Sequence, residues 1–419
     1  FNRRIQTSPA VIAACAQPIG VQQALEQADY RGLSVSIKSG GCGFTGYAGN
    51  QGGLMLDLSG MNQMHYDPRT QRLHVQPGVT LGQIYPYLAR FGRLLPVGSG
   101  FKVGIAGLTL GGGYGFYARQ WGLTCDSLQR VQWVDAEGRL HDSTHDPELL
   151  WACKGGGQGH FGAVTALEFT TYPAPRQLWH SHYSYYAPSP QAISLQIQRW
   201  FTVMAMLPQT AYSSWAMTRD SLKIILLDTA ALPTSKLRFI HHYLATGADK
   251  VIVEAAAGFL ATTWQYRCAM QPLYFKSASA GYYRDFADLA PALPEIHAQL
   301  ATCKDIMPIF QVSVLGGNIQ RRDYQDAAAY PHRALDFLGQ IQAYYLSQVQ
   351  TETALHWVRC IQECLASTTY QGAHYSNYPD ENFSDWASAY YGAAYPRLQA
   401  LKRRLDPSNR FQHPQSVRL

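Results

Sequence analysis

Three glycine clusters in the N-terminal part of this chain constrain it more than any other feature. They are Ser39-Gly40-Gly41-Cys42-Gly43, the run Gly104-Ile105-Ala106-Gly107-Leu108-Thr109-Leu110-Gly111-Gly112-Gly113, and Gly155-Gly156-Gly157-Gln158-Gly159-His160-Phe161-Gly162. Glycine admits positive φ and lets bare backbone N–H groups come close to a ligand, which is how loops hold phosphate. One such cluster makes a turn. Three, each bordered by apolar β-type sequence, predict several loops converging on one large anionic ligand.

At 419 residues the chain is too long for one ordinary core, so two or three lobes are expected. A hydrophobic content of 47% against 15% charged residues excludes a disordered chain. The net charge of +6 comes from 34 basic and 28 acidic residues that are interspersed, and the densest basic stretch, Arg397 to Arg404, reads as a solvated helix face rather than a nucleic-acid surface. No apolar run approaches the ~18 residues of a membrane span, so a soluble protein without a membrane partner is expected. The first residue is Phe1, which leaves the compartment open between cytoplasmic and secreted after loss of an N-terminal segment. Eight cysteines at irregular spacing do not form a disulfide framework and read mostly as buried thiols.

Short β-type runs at 33–37, 54–58 and 72–75 precede an amphipathic helix at 81–91, and 127–134 with 139–142 reads as a hairpin turning at Glu137-Gly138. The proline pair at Tyr172-Pro173-Ala174-Pro175 ends this pattern and predicts a domain boundary near 176. Beyond it, 191–207 reads as a helix, 221–227 as a strand and 333–348 as a helix. A last helix is expected at 385–405, stopped by Pro407 and Asn409.

Gly157-Gln158-Gly159-His160-Phe161-Gly162 spells the dinucleotide fingerprint, but a β-branched run at 163–171 follows it instead of a helix. No Asp or Glu occurs between Glu168 and Asp220 to take the ribose. The P-loop pattern is absent. A cofactor cradled by loops between strands is what remains.

The same residues resemble the berberine bridge enzyme-like oxidases of the vanillyl-alcohol oxidase superfamily, flavoproteins with a PCMH-type FAD-binding domain. Lys38-Ser39-Gly40-Gly41-Cys42-Gly43 is similar to that family's pyrophosphate loop, and Val103-Gly104-Ile105-Ala106-Gly107 through Gly115 to its second glycine loop. Gly122 to Leu128, Trp151 to Gly157, Tyr375-Ser376-Asn377-Tyr378, Tyr390-Tyr391-Gly392 and Asp406 to Phe411 continue the match. The resemblance implies an α+β fold: a two-subdomain FAD-binding domain over 1–175, a substrate domain with an antiparallel sheet backed by helices over 176–370, and a C-terminal segment, 371–419, packing back on the first. It implies that FAD is contacted by Lys38, Ser39, Gly40, Gly41, Cys42, Gly43, Gly46, Gly98, Ser99, Val103, Gly104, Gly107, Gly111, Gly112, Gly113, Gly115, Gly162, Val164 and Asn377. Tyr375 stands at the position of the catalytic base. No metal is implied.

Many relatives bind the flavin twice, through a histidine where this chain has Cys42 and a cysteine where it has Gly100. The second link is therefore absent, and Cys42 reads as a pocket residue beside non-covalent FAD, with an 8α-thioether as the other option. Val103 matches the position beside flavin carbon 4a, where a small residue goes with oxygen access. The implied activity is an FAD-linked oxidase taking a hydride from an alcohol, sugar or secondary-metabolite carbon to flavin N5, with O2 as acceptor and H2O2 as product. The alternatives are a non-redox cyclase or pericyclase in which FAD shapes the pocket, and a flavin-binding protein without turnover. Three further features carry the plainer reading: His160 as a tolerated loop residue, His356, Cys360 and Cys364 as helix packing rather than metal ligands, and His241-His242 as surface. The aromatic residues of the middle segment, Trp179, Tyr183, Tyr185, Tyr186, Trp200, Trp215 and Tyr266, suit sugar stacking and core packing equally.

Overall fold

The computed structural model describes residues 2–230, 234–255, 258–265, 272–366 and 372–419. Three larger sheets organise them, beside a short two-stranded pairing of Arg93–Leu94 with Tyr172–Pro173. The first is parallel, with Leu54–Asp57 between Val11–Ala14 and Val35–Lys38. Helix Pro18–Tyr30 starts with proline at its first turn, where the missing N–H costs nothing, and buries Val21, Leu25 and Ala28 on one stripe. The first glycine cluster follows Lys38 at the carboxyl end of a strand, the usual place for ligand loops in such sheets.

The second sheet is antiparallel, in the order Met64–Asp67, Arg72–Val75, Ala163–Thr170, Leu128–Val134, Leu140–Asp142. Its alternating Leu73, Val75, Val131, Trp133, Leu167 and Phe169 share a core with helix Leu81–Ala89 and with the C-terminal residues Trp386, Tyr390, Leu398, Leu401 and Leu405. Thr80 and Gln83 form a capping box at the start of that helix. The hairpin at Gly138, with φ of 78°, lies where the sequence predicts it.

The third sheet is a seven-stranded antiparallel one, ordered Lys250–Ala255, Trp179–Tyr186, Ser221–Asp228, Ala211–Met217, Met307–Val314, Phe337–Tyr345, Tyr274–Tyr283. Strand alternation sends Tyr183, Tyr185, Trp215, Ile224, Phe310 and Ile341 to one face, in one core with residues of helices Pro190–Met204, Ser235–Ala245, Leu293–Thr302 and Thr351–Ala366. The α+β class and the helix-backed antiparallel sheet are as expected. Tyr183, Tyr185, Trp200 and Trp215 therefore belong to the core, and Tyr266 lies outside the described residues.

Two sequence expectations are corrected. Residues 333–348 do not form a helix: Phe337–Tyr345 is a strand buried between two neighbours, where pairing on both edges overrides the helix-compatible Leu, Gln and Ala. The helix expected over 385–405 is split into Trp386–Tyr391 and Tyr395–Leu405, because Gly392 adopts a φ of 48°.

Buried polar anchors join the bodies. Arg119 donates to the carbonyls of Ala211 at 2.9 Å, Leu207 at 3.0 Å and Leu315, bridging the second glycine region to the large sheet. Lys402, fully buried, donates to the carbonyls of His160 at 2.6 Å and Phe411 at 2.7 Å and pairs with Asp406 at 2.5 Å. No described helix is long and apolar enough to cross a membrane. The seven described cysteines are free, with Cys15, Cys125 and Cys153 buried and the other four half-buried, while Cys268 lies outside the described residues.

Candidate active site

A cavity of about 560 Å³ lies where the glycine loops, the C-terminal segment and the second face of the seven-stranded sheet meet. Its floor is bare backbone. Gly40 and Gly104 approach so closely that a Cβ on Gly104 would lie 2.5 Å from the Gly40 nitrogen, so both loops require glycine at the crossing. At Gly43 and Gly107 a Cβ would meet nothing within 4 Å, which leaves open space along the loops. No Asp, Glu, Lys or Arg is among the described lining residues. An anionic dinucleotide therefore meets backbone N–H groups and hydroxyls without a repelling carboxylate, and the volume suits a ligand of that size. The wall fits FAD.

Of the residues expected at the cofactor, Ser39, Gly40, Gly41, Cys42, Gly43, Gly98, Ser99, Val103, Gly104, Gly107, Gly115, Gly162, Val164 and Asn377 line this cavity, as does Tyr375. Lys38 does not: its ammonium pairs with Asp57 at 2.7 Å. Gly46 packs against Ile5 instead. Gly111, Gly112 and Gly113 lie just behind the lining, where Gly111 backs Asn377, Gly112 backs Tyr330 and Tyr375, and Gly113 packs against Thr124 and Leu108, and the positive φ of Gly112 (111°) and Gly113 (80°) turns the chain there.

Tyr375 lines the cavity beside these loops. Its hydroxyl oxygen accepts the Gly113 N–H at 2.9 Å and the Asn377 amide N–H at 2.8 Å. Asn377 also donates to the Leu108 carbonyl at 3.0 Å and accepts from Gln158, which donates to the Gly107 carbonyl at 2.7 Å. One network thus gathers the second and third glycine clusters and the Tyr-x-Asn motif around a single phenol. Burial first, then the neighbouring Tyr330, push that phenol above its usual range, while Asn377 and Gly113 pull against them. The hydroxyls of Tyr114 and Tyr378 lie 2.6 Å apart beside it, and Phe44 stacks on Tyr378 at 5.6 Å.

The opposite wall is the second face of the seven-stranded sheet. Gln311 donates to Gln340 at 2.7 Å, Gln340 to Ser277 at 2.9 Å, Tyr212 to Ser313 at 2.9 Å and Tyr344 to Gln342 at 2.7 Å. These uncharged side chains escaped the sequence reading because Gln340, Gln342 and Tyr344 stand in the segment read as a helix. Their period-two alternation with Ile341 and Ala343 was the available signal.

Cys42 lines the cavity with its thiol directed at the carbonyls of Lys102 at 3.3 Å and Gly40 at 3.5 Å, and burial pushes its pKa up to about 11. His160 is more than a tolerated loop residue: buried, held neutral by burial, it meets the Tyr391 hydroxyl at 3.1 Å and the Val417 N–H at 3.3 Å. His241 is half-buried against the Tyr183 hydroxyl at 2.6 Å. No metal-holding group of His, Cys, Asp and Glu occurs among the described residues, and His356 contacts Cys360 on its own helix.

Comparison with known proteins matches residues 9–144 to the FAD binding domain and residues 374–418 to the berberine and berberine-like domain. A carbohydrate oxidase of Microdochium nivale is 30% identical over 461 residues, covering 100% of this chain and 89% of that protein. Among solved structures, carbohydrate oxidase from Microdochium nivale in complex with a substrate analogue superposes with a TM-score of 0.89 at 25% identity, covering 100% of this chain and 93% of the other. Glucooligosaccharide oxidase from Acremonium strictum, whose FAD is 6-S-cysteinyl and 8α-N1-histidyl, superposes at 0.88 with 22% identity and the same coverage.

Proposed function

The chain belongs to the berberine bridge enzyme-like family of FAD-linked oxidases, and from that premise we propose that it oxidises a hydroxyl-bearing carbon of a neutral carbohydrate, with Tyr375 as base. The observation that carries this reading is the pairing within one cavity of a doubly hydrogen-bonded phenol with a wall of Gln, Ser and Tyr side chains. A sugar presents many hydroxyls, each both donor and acceptor, and amides and hydroxyls answer both roles. The described wall has no charged side chain for a cationic amine or a carboxylate substrate. The same reading assigns 1–175 and 371–419 to the FAD module and 176–370 to the substrate domain.

When bound, FAD supplies the hydride acceptor. Ser39 to Gly43, Gly98, Ser99, Val103, Gly104, Gly107, Gly115, Gly162, Val164 and Asn377 would hold it, without a covalent bond. Gly100 offers no nucleophile, and the raised Cys42 pKa keeps that residue a thiol at neutral pH. Tyr375 takes the proton of the substrate hydroxyl as the C–H hydride departs, leaving a carbonyl. The Gly113 and Asn377 N–H groups stabilise the phenolate form that this step requires. Molecular oxygen takes up the two electrons and two protons as H2O2, a reading supported by the small Val103 on the cavity wall.

The test is peroxide release by wild type and Tyr375→Phe with xylobiose, cellobiose and N,N′-diacetylchitobiose. Turnover of at least one sugar by wild type, falling about 10²- to 10⁴-fold in the variant, supports the reading. Equal rates in the two proteins, or no turnover of any of the sugars, contradict it.

A further inference from the structure

Tyr375 and Asn377 stand in a segment without regular secondary structure, from Gly372 to Asp380, whose own bonds are local: the Asn377 amide to the Tyr375 hydroxyl at 2.8 Å and the Tyr378 N–H to the Tyr375 carbonyl at 2.8 Å. What ties the segment to the sheet is the edge strand Tyr274–Tyr283. The Ser279 N–H donates to the Tyr378 carbonyl at 2.9 Å, the Tyr375 N–H donates to the Ser279 hydroxyl at 3.2 Å, and the Tyr282 N–H to the Ala373 carbonyl at 3.2 Å. Phe275 of that strand faces the cavity, and alternation sends the next residue, Lys276, to the helix-covered face. There the Lys276 ammonium, 1% exposed, meets the Asp380 carboxylate, 0% exposed, at 2.7 Å.

The segment therefore crosses the strand's edge, with the phenol on one face of the sheet and its hook on the other. Asp380 is fixed on every side. Its carboxylate also accepts from Gln362 of helix Thr351–Ala366 and from the Asn382 N–H at 3.1 Å. Its N–H meets the Tyr390 hydroxyl at 2.9 Å, and its carbonyl accepts from Gln415 at 2.6 Å. Glu381 extends the cluster, 3.5 Å from Lys276 and 3.3 Å from Arg4.

A buried ion pair is a poor source of net stability, because desolvation offsets the attraction, and its best-attested use is to fix one arrangement over others. We propose that Lys276 and Asp380 are positioning residues for the reaction: the pair hooks the Tyr375–Asn377 segment around the edge strand and so sets the phenol against Gly113. This rests on the reading of Tyr375 as base.

The experiment is a double-mutant cycle between Asp380→Asn and Tyr375→Phe in the holoenzyme, with the three disaccharides above. It is joined by amide exchange at Gly113, which needs no turnover. In the wild-type background Asp380→Asn is expected to lower kcat per bound flavin by about tenfold or more, with KM within about twofold, and to speed Gly113 exchange about tenfold. In the Tyr375→Phe background the same change is expected to alter kcat by less than about twofold. If Asp380→Asn does not fold, the apolar pair Lys276→Met with Asp380→Leu takes its place in the cycle. Equal losses in both backgrounds overturn the proposal, as does a lower melting temperature with kcat and Gly113 exchange unchanged. An inactive Tyr375→Phe beside a fully active Asp380→Asn removes the hook alone, whereas a fully active Tyr375→Phe removes the base and the hook together.

Discussion

Tyr375 combines two opposing influences on one oxygen. Burial favours the neutral phenol, and two N–H donors favour the phenolate. The balance lies above the ordinary tyrosine range, so the fraction of competent base grows as pH rises. Wild-type kcat/KM is accordingly expected to increase with pH across the neutral and mildly alkaline range, and Tyr375→Phe to lose that slope; a flat wild-type profile removes the phenol as base. Cys42 shows the same physics with a different outcome. Its pKa of about 11 makes the thiolate scarce at neutral pH, and two carbonyls lie within reach of the S–H. Acid precipitation is expected to leave the yellow colour in the supernatant, and a yellow pellet would establish a thioether. Both residues were legible in the sequence because each sits in a short motif. Gln311 and Gln340 were not, since a glutamine gains meaning only from the strand that places it opposite a ligand.

At the level of elements, the C-terminal helix Tyr395–Leu405 packs Leu398, Leu401 and Leu405 into the second core and carries one fully buried ammonium, that of Lys402. Lys402 and Asp406 are both 0% exposed, one helical turn apart, and tie the carbonyls of His160 and Phe411 into the core. Lys402→Met leaves the Asp406 carboxylate buried without its cation and is expected to cost about 3–5 kcal/mol in urea unfolding, and adding Asp406→Leu is expected not to restore it, because the His160 and Phe411 carbonyls and the Arg410 and Phe411 N–H groups then all lose partners. A loss below about 1 kcal/mol in the single variant would show that the carboxylate is satisfied by the Arg410 and Phe411 N–H groups alone. Elements with strong local signals were legible: the hairpin at Gly138, helix Pro190–Met204 with its Ser189 cap, and the strand Ser221–Asp228. Phe337–Tyr345 was not, because its buried neighbours on both sides decide its state and its own composition does not.

Across the whole molecule, the cavity draws one wall from the glycine loops near the N-terminus, one from the C-terminal segment and one from the middle sheet. The glycine clusters announced the first wall and the Tyr-x-Asn motif the second, while the third was hidden because strand order brings Ala211–Met217, Met307–Val314 and Phe337–Tyr345 together from distant parts of the chain. In the proposed function this division has a counterpart: the ends of the chain would hold the flavin, and the middle would select what is oxidised. In the proposed function the flavin takes electrons from a sugar. The most direct test is the visible flavin absorbance of the purified protein mixed anaerobically with xylobiose, cellobiose and N,N′-diacetylchitobiose in turn. At least one sugar is expected to bleach the band, and admitting oxygen to restore it with release of peroxide. A band that no sugar bleaches would exclude sugar oxidation by this flavin and favour a flavin that only shapes the pocket.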